Sequence, residues 1–336
     1  MPPPRIRTVI PSKAIEGGRV TIDGSGFTVD ATTLPEIYVG DVRARIVFAS
    51  SSRLDVIVPT GLESGSAAVR VGDVVSRDAF IDIAASFATG LHQVDNPVFD
   101  REGNLFVTFS GTRGQQVPVS IFRVTPNGIR ETFSSGIVNP TSMAIDSENR
   151  LYVSSRFEGT VYRVAADGSV ESFATDLGVA CGLAFAPDGT LYVGDRSGTI
   201  FRVDRDGRAE TFASLPASVA AFHLAIGPDA ALYVTGPTLS SYDSLYRIDP
   251  QGEVVTRYAS FGRPQGLAFD GNGELCVVEA LAGASGLYRV PPSGDPELVL
   301  AGPGLVGVAF DGHGVLVVSS NDTAYRLPAH SRPSGQ

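Results

Sequence analysis

The chain has 336 residues with a formal net charge of −10, and 43% of it is hydrophobic, with 38 Gly and 22 Pro. That length fits one large and one small domain, and the acidic balance excludes a phosphate-backbone partner, which needs a basic surface. No run approaches the roughly eighteen uninterrupted apolar residues of a membrane-spanning helix, so no membrane insertion is expected. Gly and Pro fall at regular intervals between short apolar runs, as in an all-β protein with many tight turns.

The start, Met1-Pro2-Pro3-Pro4-Arg5, lacks the apolar stretch of a signal peptide. The default expectation is cytoplasmic, with an extracytoplasmic location left open if the start is trimmed. From about Thr8 to Ile83 short alternating runs read as strands of a sandwich: Arg19–Ile22, Glu36–Val39, Arg45–Phe48, Leu54–Val58 and Ala67–Val71. Between them lie Glu16-Gly17-Gly18, Gly24-Ser25-Gly26-Phe27, Tyr38-Val39-Gly40-Asp41 and Val58-Pro59-Thr60-Gly61. This segment, residues 1–84, resembles the IPT/TIG family of immunoglobulin-like domains. The resemblance implies a spacer or contact module without chemistry of its own.

From Pro97 onward one pattern repeats. Apolar strands end at Phe99, Ile145, Phe185, Ile226, Phe269 and Phe310, at intervals of 40 to 46 residues, and six residues later a leucine opens a second strand each time. A third strand carries an aromatic–arginine pair: Phe122-Arg123, Tyr162-Arg163, Phe201-Arg202, Tyr246-Arg247, Tyr288-Arg289 and Tyr325-Arg326. Turns such as Asp167-Gly168 and Asp206-Gly207 lead to a fourth strand. Four antiparallel strands in about forty residues make a propeller blade. The expected fold is all-β: a six-bladed β-propeller over residues 85–328 behind the immunoglobulin-like β-sandwich, with a disordered tail at 329–336. An arginine recurring in every blade cannot mark one site, so it reads as a structural residue that pairs locally. The sixth repeat stops after its third strand. Its outer strand is expected upstream, at Ser86-Phe87-Ala88-Thr89, which closes the ring.

In such a ring the connections between blades, and between second and third strands, share one face. That face carries the long loops Phe109–Ser120, Gly236–Ser244 and Glu279–Gly286, whereas the other carries tight turns. Ligands are usually met on the variable loops. Inner strands start there, at Asp95, Thr141, Cys181, Phe222, Gln265 and Val306, with His223 one position further on. Second strands return at Asp195 and Glu279. Asp95, His223, Gln265, Asp195 and Glu279 are thus the candidate ligand-binding residues at the mouth of the channel. With carboxylates and an amide oxygen, the mouth could hold a divalent cation, calcium or zinc, with Asp95 as the metal ligand. The alternative is that Asp195 and Glu279 satisfy loop amides and that His223 is a packed, hydrogen-bonded residue. The cysteines Cys181 and Cys276 fall in different blades and are expected to be unpaired.

The phrase Cys181-Gly182-Leu183-Ala184-Phe185-Ala186-Pro187-Asp188-Gly189, followed by Leu191-Tyr192-Val193, resembles both the gluconolactonase/senescence-marker-protein superfamily and NHL-type propellers. The resemblance covers residues 86 to 327. In the lactonases it implies a divalent metal held by Glu, Asn and Asp, polarising a lactone carbonyl. The matching positions here are Asp95, Cys181 and Gln265. Gln265 is neutral and cannot take a proton at pH 7. Two readings stand side by side: a binding protein holding a small molecule, glycan or protein segment on the loop face, and a divergent metal-dependent lactone hydrolase.

Overall fold

The structure, a computed structural model, describes residues 4–30, 33–281, 283 and 285–327; the expected tail at 329–336 lies outside them. Among these residues every regular element is a β-strand. Six four-stranded antiparallel blades follow the repeat, with inner strands Val98–Phe99, Pro140–Ile145, Ala180–Phe185, His223–Ile226, Pro264–Phe269 and Leu305–Phe310. Each inner strand touches the next and the sixth touches the first, so the blades form a closed ring.

Apolar side chains between blades hold the ring. Tyr152 of blade two sits edge-on between Phe173 of its own outer strand and Phe185 of blade three, with ring centroids 5.0 and 4.9 Å away. Such pairs contribute about 0.5–1.5 kcal/mol each beyond their burial. The Asp-Gly turns do more than reverse the chain. A Cβ on Gly168 or Gly207, both at positive φ, would lie 2.0 Å from the carbonyl oxygen of Phe133 or Phe173 in the preceding blade. Only glycine fits both the turn and the contact.

Five of the six repeated arginines pair within their own blade, whereas Arg326 donates to the Pro126 carbonyl of blade one. Arg123 and Arg289 reach the outer-strand carboxylates of Glu131 and Glu297 at 2.7 and 3.0 Å, and Arg163 and Arg202 meet Glu171 and Glu210 in the same register. Exposed pairs of this kind add little stability. They are scaffold.

Blade six is completed by Ala85–Thr89, antiparallel to Thr323–Arg326, with Ala85 opposite Arg326 and Thr89 opposite Thr323. The register slips at Phe87, which stacks under the Arg326 guanidinium at 4.9 Å.

Residues 5–83 form a two-sheet sandwich around Val20, Ile22, Leu54, Val56, Val69 and Ile81. Its attachment differs from that of a spacer. The two-residue strand Lys13–Ala14 runs parallel to the outer strand of blade five, with Ala14 opposite Ala301, and also to Val74–Ile83 of the sandwich. One nine-stranded sheet therefore runs from the centre of blade five to the far edge of the sandwich. The side chains interlock as well. Ile15, 1% exposed, joins the apolar cluster between blades five and six, while Ala301 joins the core of the sandwich. A two-residue bridge has no periodicity to read, so pattern analysis finds the sandwich and misses its suture.

The suture predicts one cooperative unfolding transition for both modules. Ile15→Ala is expected to cost about 2–5 kcal/mol, the range for a large-to-small change in a core, as measured by urea unfolding of the whole chain. Deleting residues 1–78 should lower the melting temperature of the propeller. Two separate transitions, or an unchanged melting point after the deletion, would overturn the fused arrangement.

Candidate functional site

The inner strands converge on a narrow channel whose wall is stitched from blade to blade. Asn96 of blade one donates from Nδ2 to the Leu267 carbonyl of blade five at 2.8 Å and accepts at Oδ1 from the Val308 amide of blade six at 2.9 Å. Gly266 and Gly307 make room, since a Cβ on either would lie within 3 Å of Asn96. Ser154 donates to the Cys181 carbonyl at 2.6 Å, and Thr235 donates to that of Gln265 at 2.6 Å. Buried polar groups satisfied across blades fix the spacing of the ring.

At the loop-face end of this channel the structure brings Asp95 and His223 together, from blades one and four on opposite sides of the ring. Asp95 Oδ1 and His223 Nδ1 are 2.6 Å apart. The Asp95 carbonyl is held by Gln93 Nε2 at 2.7 Å, and Gln93 Oε1 accepts from the Thr108 amide. In the tautomer that carries its proton on Nδ1, the ring donates and the carboxylate oxygen accepts. Both side chains are buried, His223 completely, and its Nε2 has no hydrogen-bond partner. His223 is a packed residue, bonded to a side chain from the opposite blade and wholly buried.

The other expected residues do not join this pair. Asp195 Oδ1 accepts from the amides of Val179 at 2.8 Å and Ser197 at 3.3 Å, and its Oδ2 accepts from the Ser197 hydroxyl. Glu279 takes the amides of Arg263 and Leu281 at 2.7 Å and of Gly262 at 2.6 Å. These carboxylates hold the ends of their own loops. Gln265 is the second residue of the inner strand of blade five, buried at 8% exposure. Cys181 and Cys276 are free thiols. Burial pushes both up to about 12, helped at Cys181 by the nearby Asp95 charge.

This donor set does not fit the divalent cation that the lactonase resemblance implies. Glu279 already spends its oxygens on backbone amides and Asp195 on amides and the Ser197 hydroxyl, Asp95 is bonded to His223, and a thiol near 12 stays protonated. Among the described residues no three His, Cys, Asp or Glu side chains group as a metal site.

What sequence reasoning missed is basic. Arg156 and Arg196 each directly follow the last residue of a second strand, Ser155 and Asp195, in neighbouring blades, and Arg113 sits in the long loop of blade one. The repeated Ser-Arg and Asp-Arg register was the available signal. Burial, with the charges of Arg196 and Arg113, lowers the pKa of Arg156, whereas Cys181 opposes that shift. Burial also lowers the pKa of His92, with Arg156 adding to the effect.

Residues 4–81 match the IPT/TIG domain family. A sequence search of curated proteins finds no match. Similar solved structures include an auxiliary nutrient binding protein from Bacteroides ovatus ATCC 8483, at 14% identity and TM-score 0.57, covering 97% of this chain and 98% of that one. Another is a gluconolactonase-like propeller at 17% identity and TM-score 0.59, covering 73% of this chain and 91% of that one. A third is a catalytically inactive histidine-to-alanine form of virginiamycin B lyase from Staphylococcus aureus, with quinupristin. It has 14% identity and TM-score 0.51, and the match covers 97% of this chain and 96% of that one. At these identities the likeness establishes the fold.

The buried pair yields a stability prediction. Asp95→Ala strands a second ring nitrogen of His223 and is expected to cost about 3–5 kcal/mol, the loss typical of breaking a buried pair. Asp95→Asn keeps an acceptor and should recover part of it. Denaturant titration of both variants is the measurement, and an Asp95→Ala protein as stable as wild type would sink this reading. The thiols should resist a disulfide reagent in the native protein at neutral pH and both react once it is denatured.

Proposed function

We propose that the protein is a binding protein whose propeller takes a small ligand or chain segment on the long-loop face, over the mouth of the channel. One observation carries this reading. Of the large apolar side chains that the propeller exposes, Phe157, Val219, Leu239, Tyr242 and Leu281 lie in loops on that face, Leu239 at 93% exposure. In the turns of the opposite face only Ile129 is comparable among the described residues. Apolar groups gathered on one rigid face mark an interaction surface. On this reading the buried Asp95–His223 pair and Gln265 are the polar groups nearest the mouth. That structures of similar architecture include a nutrient binding protein and a lyase with quinupristin supports a ligand on this scaffold.

A second reading, a divergent gluconolactonase-like hydrolase of the senescence-marker-protein or NHL type, draws on the carboxylate–imidazole pair at the position where the lactonases place their acid. A lactone-hydrolysis assay with added calcium or zinc separates the two. Turnover abolished by His223→Gln would favour the enzyme.

A thermal-shift screen of metabolites, glycans and peptides tests the binding reading. A ligand present at about 100 times its Kd stabilises by roughly 2.7 kcal/mol. Hits should lose their shift in Phe157→Ser and Tyr242→Ser and keep it in Val255→Ser, on the outer strand of blade four. Shifts indifferent to the first two substitutions would place the ligand elsewhere.

A further inference from the structure

Nearly every arginine between Ala85 and Leu327 has a side-chain hydrogen bond or ion pair: Arg150 with Asp146, Arg247 with Asp229, Arg101 with the Ser147 carbonyl and Arg326 with that of Pro126, for example. The exceptions are Arg113, Arg156, Arg196 and Arg263, for which the described residues show no such contact. All four lie on the loop face, and three come from consecutive blades.

The backbone brings those three together. Asn139, at φ +49, sits at the junction of blades one and two. Its side chain accepts the Gly114 amide at 2.6 Å and donates to the carbonyls of Ser110 and Thr112 at 2.7 Å, which pins the Arg113 loop. Its carbonyl accepts the Arg156 amide. Gly114 packs on the Phe157 ring, where an added Cβ would approach to 3.1 Å. In blade three the Arg196 amide bonds to Val179 and its carbonyl accepts the Ser218 amide, placing Val219 beside it. Arg113, Arg156 and Arg196 thus stand on one rim with Phe157 and Val219 in a chain whose net charge is −10.

We propose that Arg113, Arg156 and Arg196 form an anion site that takes the carboxylate or phosphate group of a small amphiphilic ligand, whose apolar body lies against Phe157 and Val219. This rests on the reading of the loop face as a ligand surface and gives it a chemical class. Like charges held together without counter-ions oppose folding, which sets this cluster apart from the paired arginines of the scaffold. Guanidinium forks match oxyanions in two-point hydrogen bonds. The exposed Phe157 ring and Val219 beside them accept the rest of the ligand.

The test uses the full chain and anilinonaphthalene sulfonate, a fluorescent aromatic anion, displaced by phenylbutyrate, phenyl phosphate or neutral phenylbutanol. Saturable dye binding is expected to weaken with salt and to fall by about tenfold or more in the Arg156→Gln/Arg196→Gln double variant, the loss of charge-assisted hydrogen bonds. Phenylbutanol should displace the dye about tenfold less well than the better of the two anions, and the ranking of those two identifies the headgroup. The double variant should melt no lower than wild type. A lower melting point would make the arginines structural and overturn the proposal. If phenylbutanol competes as well as the anions and only Phe157→Ser weakens binding, the anion site is wrong while the ligand face stands. Dye binding that none of these substitutions alters, or no binding at all, removes both.

Discussion

Ring closure is the constraint on which the rest depends. Ala85–Thr89 supplies the fourth strand of the last blade, so two segments more than two hundred residues apart share one sheet. Without that pairing the edge of Thr323–Arg326 would be open and the inner strands would have no fixed radius. With it, residues from opposite blades come within hydrogen-bonding distance on the axis, as Asp95 and His223 do. The cross-blade bonds of Asn96, Ser154 and Thr235 all assume the same radius.

The closing strand leaves the sandwich directly, and the sandwich is itself paired to blade five through Ala14. The N-terminal module is therefore attached at two adjacent blades, by a covalent strand at blade six and by a hydrogen-bonded one at blade five. Exchange of Ile15 and Ala301 between the two cores makes the junction apolar and buried.

Charge on the loop face divides into groups the fold consumes and groups it leaves over. Asp195 and Glu279 cap loop amides, and Asp95 is bound to His223, so the acidic residues that looked like ligands are occupied. The arginines that follow the second strands of blades two and three have no such duty. In an acidic chain such unpaired arginines stand out from the paired ones of the scaffold.

Architecture was legible in the sequence because blades are local. A four-stranded meander writes its period, its turns and its missing last strand into contiguous residues, and the structure follows them from Phe99 to Arg326. The IPT/TIG resemblance of the N-terminal segment was readable for the same reason, through glycines and turns a few residues apart. Register even placed Asp95 and His223 at the same end of the channel. Which partner each polar side chain takes was decided only in three dimensions. The Asp95–His223 bond joins residues 128 positions apart, and the Ala14–Ala301 bridge has no pattern at all. Sequence periodicity reports on neighbours along a strand, whereas the state of a carboxylate or a guanidinium depends on what the closed ring brings opposite it.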